Sequence, residues 1–288
     1  MASARKLVII LGPTAAGKTD YSISQALHYG SPVISCDSRQ LYREMSIGTA
    51  VPSMEQLSRV KHYFIQDHSI FDTYTAGMYE LEALRLIDRL FDEGHDTLVM
   101  CGGSGFYIDA VCNGLDDFPP SDMQLRACLM SRLESEGLES LQRQLEELDP
   151  QSYATIDTAN RQRVVRALEV CLMTGRPFSS FKTSTVKKRD FEIEKVGISR
   201  PRGALYERIN LRTEQMMRDG LEEEARRLHQ WKDLPALQTV GYRELFDMFE
   251  GKLDREQAVG AIKMNTRRYA KRQMSWFRRD SSIRWLEL

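Results

Sequence analysis

The sequence predicts an α/β protein, a parallel sheet core flanked by helices and interrupted by an all-helical insertion. Three observations predict it. Leu7-Val8-Ile9-Ile10-Leu11 runs directly into Gly12-Pro13-Thr14-Ala15-Ala16-Gly17-Lys18-Thr19, the strand, glycine loop and helix start of a P-loop phosphate cradle. Short apolar runs then alternate with helical stretches, the rhythm of a parallel sheet with its chemistry at the C-terminal ends of the strands. From Asp122 to Lys182 the strand signals stop, and only amphipathic helical stretches remain.

Phosphate needs the first of these patterns for a physical reason. Glycines let backbone N–H groups converge on the anion, and the helix that follows adds the positive end of its dipole. Lys18 would reach the terminal phosphate oxygens, and the Thr19 hydroxyl would hold Mg²⁺. A chance match in a glycine turn is the alternative. The buried-type strand before the loop and the helical residues after it argue against that.

The elements follow in order. Residues 20–29 read as a helix closed by Gly30, and 32–37 as a second strand ending on Asp37. Residues 61–67 resemble a third strand. Thr75 caps a helix running to Glu93, with Leu81, Leu84, Ile87, Leu90 and Phe91 at helical spacing and Gly94 as its stop. A fourth strand, 97–101, precedes Gly102-Gly103-Ser104-Gly105. Asp116-Asp117-Phe118-Pro119-Pro120-Ser121 breaks the rhythm, and helices are expected over 125–136, 138–148 and 161–173. The Lys/Ser/Thr-rich stretch 179–189 forms the second hinge. Residues 195–199 return to the sheet, and helices follow from Ala204 to the end, broken at Gly220 and Gly251. The chain therefore divides into 1–117, the first part of the core; 118–190, the helical insertion; and 191–288, the rest of the core.

With 288 residues the chain can bury a substantial core. No apolar segment approaches the length of a membrane span, and the apolar stretch after the basic N-terminus is a first strand instead of a signal peptide. Five scattered cysteines with no Cys-x-x-Cys pair fit reduced thiols in the cytoplasm and no zinc site. Lys+Arg and Asp+Glu balance at 40 against 41, yet residues 263–279 carry seven basic residues and no acid, interleaved with Tyr269, Trp276 and Phe277. Such a stretch is either a nucleic-acid surface or a solvated basic helix face.

Asp37 is the most informative single residue. At the end of the second strand its carboxylate would lie beside the phosphate loop, suited to a general base or an acceptor for an attacking nucleophile. A helix or turn cap, or a group holding Mg²⁺ through water, is the other reading. The fourth strand ends in Cys101-Gly102-Gly103 with no carboxylate to direct magnesium, which weighs against an ATP-hydrolysing motor.

At this point the sequence resembles a known family. The loop block 12–19, Asp37-Ser38-Arg39-Gln40-Leu41-Tyr42-Arg43-Glu44-Met45-Ser46-Ile47-Gly48-Thr49-Ala50, Gly102-Gly103-Ser104-Gly105-Phe106-Tyr107, Gln162-Arg163-Val164-Val165-Arg166-Ala167-Leu168-Glu169, Val240-Gly241-Tyr242-Arg243-Glu244 and Thr266-Arg267-Arg268-Tyr269-Ala270-Lys271-Arg272-Gln273-Met274-Ser275-Trp276 look like the tRNA dimethylallyltransferase family of isopentenyl transferases. Six ordered blocks span nearly the whole chain. The resemblance implies transfer of a dimethylallyl group from its diphosphate to N6 of the adenosine next to the anticodon, with Mg²⁺. The N6 amine is a poor nucleophile because its lone pair is delocalised into the ring. It therefore needs an acceptor, and Asp37, with Ser104, is similar to the family residues at the reacting centre. Residues 12–19 and Arg212 would hold the diphosphate that leaves.

Adenine stacked in an anticodon loop must be extruded to react. The resemblance places Ser38, Arg39, Gln40, Ser104, Arg126, Gln162, Arg163, Val164, Val165, Arg166, Gln238, Thr239, Val240, Gly241, Tyr242, Arg243, Arg272, Gln273, Trp276 and Arg279 against the tRNA, basic groups on phosphates and the amides and aromatics on bases. The insertion would close over the anticodon stem-loop of the partner tRNA, and the protein is expected to act as a monomer. Two departures stand out: Ser104 replaces the family's usual Thr, keeping a hydroxyl with a looser rotamer, and Val51-Pro52 replaces Lys-Pro, removing a lysine that would meet an RNA phosphate. The end at Leu288, without the zinc-finger extension of many eukaryotic relatives, implies a bacterial form. Two rivals remain, a small-metabolite kinase, for which a phosphate loop plus Asp37 is equally the expected pattern, and an RNA-binding protein with an ATP switch.

Overall fold

The computed structural model describes residues 5–183 and 185–288. Residues 1–4 of the basic N-terminus and Ser184 of the expected second hinge lie outside them. β1 (Lys6–Leu11) is buried from Leu7 onward on both faces, as its unbroken apolar run requires of a central parallel strand. α1 (Lys18–Tyr29) starts after Gly17 and is closed by Gly30 in the left-handed conformation. β2 spans only Val33–Ser35, so Asp37 lies two residues beyond its end. α2 (Met54–Arg59) begins in a capping box formed by Ser53 and Gln56. β3 is confined to His62–Tyr63, shorter than the expected 61–67, because Phe64 and Gln66 take positive φ values of 60° and 55° that turn the chain out of the sheet.

The Thr75 side chain accepts from Met78 N at the start of α3 (Ala76–Asp92). Its buried face is Tyr79, Ala83, Leu86, Ile87, Leu90 and Phe91, whereas Leu81, expected on the apolar stripe, is 58% exposed. The stripe runs through Tyr79 and Ala83, which leaves position 81 on the opposite side. β4 (Thr97–Gly102) leads through Gly103-Ser104 into α4 (Gly105–Asn113).

Two compact units divide the chain: one takes it up to Cys112 and again from Lys188, and the other is Asn113–Lys187. The borders expected from the sequence, 117/118 and 190/191, lie a few residues further along. At the border Lys187 N donates to Asn113 O at 2.8 Å, so the ends of the second unit meet. On the first unit's side Arg189 Nε donates to Val111 O at 2.8 Å, and its Nη2 reaches Ala110 O and Glu80 Oε1, both at 3.0 Å. The second unit is helical: α5 (Met123–Glu136), α6 (Leu138–Leu148), α7 (Pro150–Thr155) and α8 (Arg161–Thr174), followed by a 3₁₀ turn over Phe178–Phe181. The short α7, capped by Asp149, is an addition to the expected helices. Leu129, Leu133, Leu141, Leu145, Val164, Val165 and Leu168 build the core of this unit.

The first unit resumes with β5 (Glu192–Ser199), α9 (Arg202–Arg218), α10 (Leu221–Leu228), α11 (Tyr242–Phe249) and the 23-residue α12 (Arg255–Phe277). The chain does not stay helical to its end. β6 (Arg284–Glu287) adds an edge strand, whose four residues, exposed at both ends, carry no alternation long enough to read. All five pairings in the six-stranded order β3-β2-β4-β1-β5-β6 are parallel. Leu7, Ile9 and Leu11 point to the face covered by α3 and α4; Val8 and Ile10 point to the face covered by α1 and α9. A further apolar cluster joins α10, α11 and the start of α12 to Tyr42, Met45 and Ile70. Because every strand runs the same way, the segments after β1, β2, β4 and β5 emerge together at one edge of the sheet, where ligands of open α/β sheets bind.

Candidate active site

Gly12 leaves β1 with φ 142°, and a Cβ there would come within 2.3 Å of Ile198 O, so only glycine lets the loop turn away beside β5. Three arginines then hold the loop. Arg200 Nε donates to Ala16 O at 2.8 Å and Arg208 Nε to Ala15 O at 2.9 Å, while Arg212 Nη2 donates to Thr14 Oγ1. Ala15 is left-handed at φ 64°, a conformation a non-glycine residue keeps only where its surroundings impose it. Lys18 Nζ donates to Pro13 O at 2.8 Å. Burial pushes the Lys18 ammonium below its ordinary pKa and does the same to the Arg212 guanidinium, so a bound anion would find two cations already stripped of much of their water.

Past β2 the chain makes a turn built on Asp37. Its Oδ1 accepts from Arg39 N at 2.9 Å and Gln40 N at 3.4 Å, while Oδ2 accepts no hydrogen bond from the described residues. One oxygen thus caps the turn, and the other is available. Ser38 N donates to Ser104 Oγ at 2.9 Å, and the two hydroxyls are 3.0 Å apart, which joins the turn after β2 to the turn after β4. Gln40 Nε2 donates to Thr49 O and Ala50 O, and Arg39 Nη1 to Pro235 O and Ala236 O. Two of the residues expected to meet RNA therefore spend their side chains, at least in part, on holding neighbouring loops.

Two cavities open here. The first, about 660 Å³, is lined by Gly17, Lys18, Thr19, Arg208 and Arg218 among others. The second, about 340 Å³, is lined by Ser38, Arg39, Gln238, Thr239, Val240, Gly241, Arg243, Tyr269 and Arg272. Thr14, Asp37, Thr49, Ala50 and Arg212 line both. Asp37 and Arg212 are therefore the charged groups at the border between the chamber at the glycine loop and a second chamber rimmed by arginines.

Not every residue expected to touch RNA reaches these cavities. Tyr242 is fully buried, and its hydroxyl donates to Glu224 Oε1 at 2.7 Å; it is a core residue. Gln273 is only 6% exposed, with both ends of its amide engaged. Trp276 Nε1 donates to Asp109 Oδ2 at 3.0 Å, and the Arg279 guanidinium lies 4.0 Å from the centre of its ring. In the helical unit Val164 and Val165 are in the core at 0% exposure. Arg126 and Arg166 both reach Glu169 Oε2, at 3.1 and 3.0 Å, and Arg126 also donates to Gln162 Oε1, whereas Arg163 is exposed. Sequence reasoning missed Arg200, Arg208 and Glu224. Each acts across a long sequence separation, and no local motif announces it. Among the described residues no cluster of three His, Cys, Asp or Glu could hold a metal ion. A hydroxyl such as Thr19 could be one ligand only.

A family model described as IPP transferase matches residues 40–280. The chain belongs to the IPP transferase family. The chain is 50% identical over 279 residues to tRNA dimethylallyltransferase 2 of Porphyromonas gingivalis, covering 97% of this chain and 93% of that one. It is 49% identical over 281 residues to a tRNA dimethylallyltransferase of Christiangramia forsetii, covering 98% and 93%. Its fold is similar to that of the solved tRNA isopentenylpyrophosphate transferase of Bacillus halodurans, with a TM-score of 0.71 at 34% identity over 98% of this chain and 90% of that one. The family match starts at Gln40, beyond the glycine loop and Asp37, whereas the relatives align across nearly the full chain.

Proposed function

We propose that this protein moves the dimethylallyl group of dimethylallyl diphosphate onto N6 of the adenosine adjacent to the anticodon, position 37 of tRNA, and releases diphosphate. The names of its relatives support the reaction class. One observation supports the assignment of roles: the chamber at the glycine loop and the second chamber meet at Asp37 and Arg212. A leaving group held on one side and a nucleophile entering from the other would face each other across that border.

The N6 lone pair forms the new bond to the allylic carbon while the carbon–oxygen bond to diphosphate breaks, so positive charge gathers on carbon and negative charge on oxygen. Lys18, Arg212 and the loop amides would hold the departing anion. The unengaged Oδ2 of Asp37 would accept the N6 proton, and Ser104, bonded to Ser38, would help position the nucleotide. Thr19, together with the bound diphosphate, would hold Mg²⁺, which would supply charge neutralisation. The extruded adenine would enter the chamber lined by Arg39, Arg243, Tyr269 and Arg272. Arg126, Gln162, Arg163 and Arg166 of the helical unit would meet phosphates and bases of the anticodon stem-loop.

Among the described residues no helix is long and apolar enough to cross a membrane, and all five cysteines are free thiols. The free thiols fit the further reading of a reducing, cytoplasmic setting. The test incubates the protein with labelled dimethylallyl diphosphate and unmodified tRNA. Label is expected in the RNA, on adenosine; label confined to small molecules while ATP is consumed would favour a kinase.

A further inference from the structure

Gln273 lies on the same helix as exposed Lys271 and Arg272, yet it is buried at 6% exposure. Its Oε1 accepts from Thr14 N at 2.9 Å and its Nε2 donates to Gly103 O at 2.9 Å. A Cβ on Gly103 would come within 2.3 Å of Nε2, so glycine at 103 is what admits the amide. One side chain thereby joins the loop after β1 to the turn after β4. Three residues along α12, the Trp276 indole N–H donates to Asp109 of α4, and its ring fills the space beside Gly105. Thr14 is held a second time, through its hydroxyl, by Arg212.

We infer that Gln273 is a positioning residue for the transfer reaction and does not touch RNA: it sets the spacing between the loop that grips the diphosphate and the Ser104 turn that, through Ser38, holds the Asp37 turn. The inference rests on the function proposed above for the assignment of those two sides. It also implies that the Thr14 N–H is spent on Gln273 and is not one of the amides that cradle the anion. An amide is the group needed at 273, since it accepts from an N–H at one end and donates to a carbonyl at the other. A methionine of similar length cannot donate, and its sulfur accepts only weakly. A carboxylate can accept but not donate, and a neutral carboxylic acid can again do both.

The test uses the full-length protein and three readouts. First, Gln273→Met should weaken binding of inorganic diphosphate, measured calorimetrically without RNA, by about tenfold, the scale of one or two hydrogen bonds. Second, it should lower kcat by about 10–10²-fold with KM for tRNA unchanged within about twofold, as expected when the spacing of reacting groups is relaxed and the RNA interface is not. Third, for Gln273→Glu the ratio of variant to wild-type kcat should rise as pH is lowered, because protonation restores the donor. If Gln273→Met fails to fold, the pH ratio of the Glu variant decides. A flat ratio with wild-type diphosphate binding, or a raised tRNA KM with unchanged kcat, overturns the inference. Wild-type protein that binds diphosphate but transfers nothing to RNA would defeat the proposed function, and the diphosphate measurement would still decide the role of Gln273.

Discussion

Glu224 accepts the Tyr242 hydroxyl at 2.7 Å while the same carboxylate takes the backbone N–H groups of Ser46, Ile47 and Gly48 at 2.9–3.0 Å. The group is 3% exposed, and these four donors satisfy the carboxylate. Gly48, Thr49 and Ala50, the continuation of that segment, wall the second cavity. Burial and the neighbouring Glu224 charge hold the Tyr242 hydroxyl protonated far above its ordinary range.

Glu224→Ala would strand three partly buried amides and a buried phenol, so a loss of about 3 kcal/mol is expected in urea unfolding at unchanged m. Tyr242→Phe removes one donor only and should cost about 1–2 kcal/mol. Equal losses in the two variants would show that the carboxylate is not the organising group.

Asp37→Asn keeps a side-chain oxygen for the turn and loses the proton acceptor. Single-turnover transfer should slow by about 10²–10⁴, with tRNA affinity nearly unchanged. A variant that turns over at close to the normal rate removes Asp37 from the chemistry.

Lys18 supplies a pH signature. Burial lowers its pKa from 10.5, and a bound diphosphate would raise it again. Between the two values the free protein is partly neutral at Lys18 and the complex is protonated, so binding takes up a proton and affinity falls as pH rises. Below both values there is no uptake. Calorimetry in buffers of different ionisation enthalpy should detect the uptake in wild type and not in Lys18→Arg. Uptake of the same size in both proteins would assign it elsewhere.

Lys271 and Arg272 are exposed on α12. Their joint replacement by Ala should weaken tRNA binding and reduce the slope of log K against log salt by about 0.7–0.9 for each phosphate that is no longer neutralised. An unchanged slope would make the basic face of α12 a solvated surface.

The sequence announces the β1 strand, the glycine loop, the Thr75 cap and the helical insertion because each is written in adjacent residues. What it conceals depends on distant ones. The exposure of Leu81 follows from which side α3 turns to the sheet, and β3 ends early because Phe64 and Gln66 adopt left-handed conformations that their residue types do not signal. Within the site, Asp37, Lys18 and Arg212 are readable from motif and resemblance. The core positions of Val164, Val165 and Tyr242 are not, since shared membership in a motif does not distinguish a residue that touches a ligand from one that supports its neighbour. Arg200 and Arg208 clamp the glycine loop across sequence separations of 184 and 193 residues, a relation only the fold creates.

Asn113 and Lys187, joined by a backbone hydrogen bond, draw the two ends of the helical unit together like the mouth of a purse. A segment whose two ends already touch can grow, shrink or be exchanged as a cartridge without pulling any strand out of register, because the entropic penalty of a longer excursion rises only logarithmically. Diversification in length among chains sharing this sheet is accordingly cheapest between those two residues, while the loops that meet at Asp37 have no such latitude.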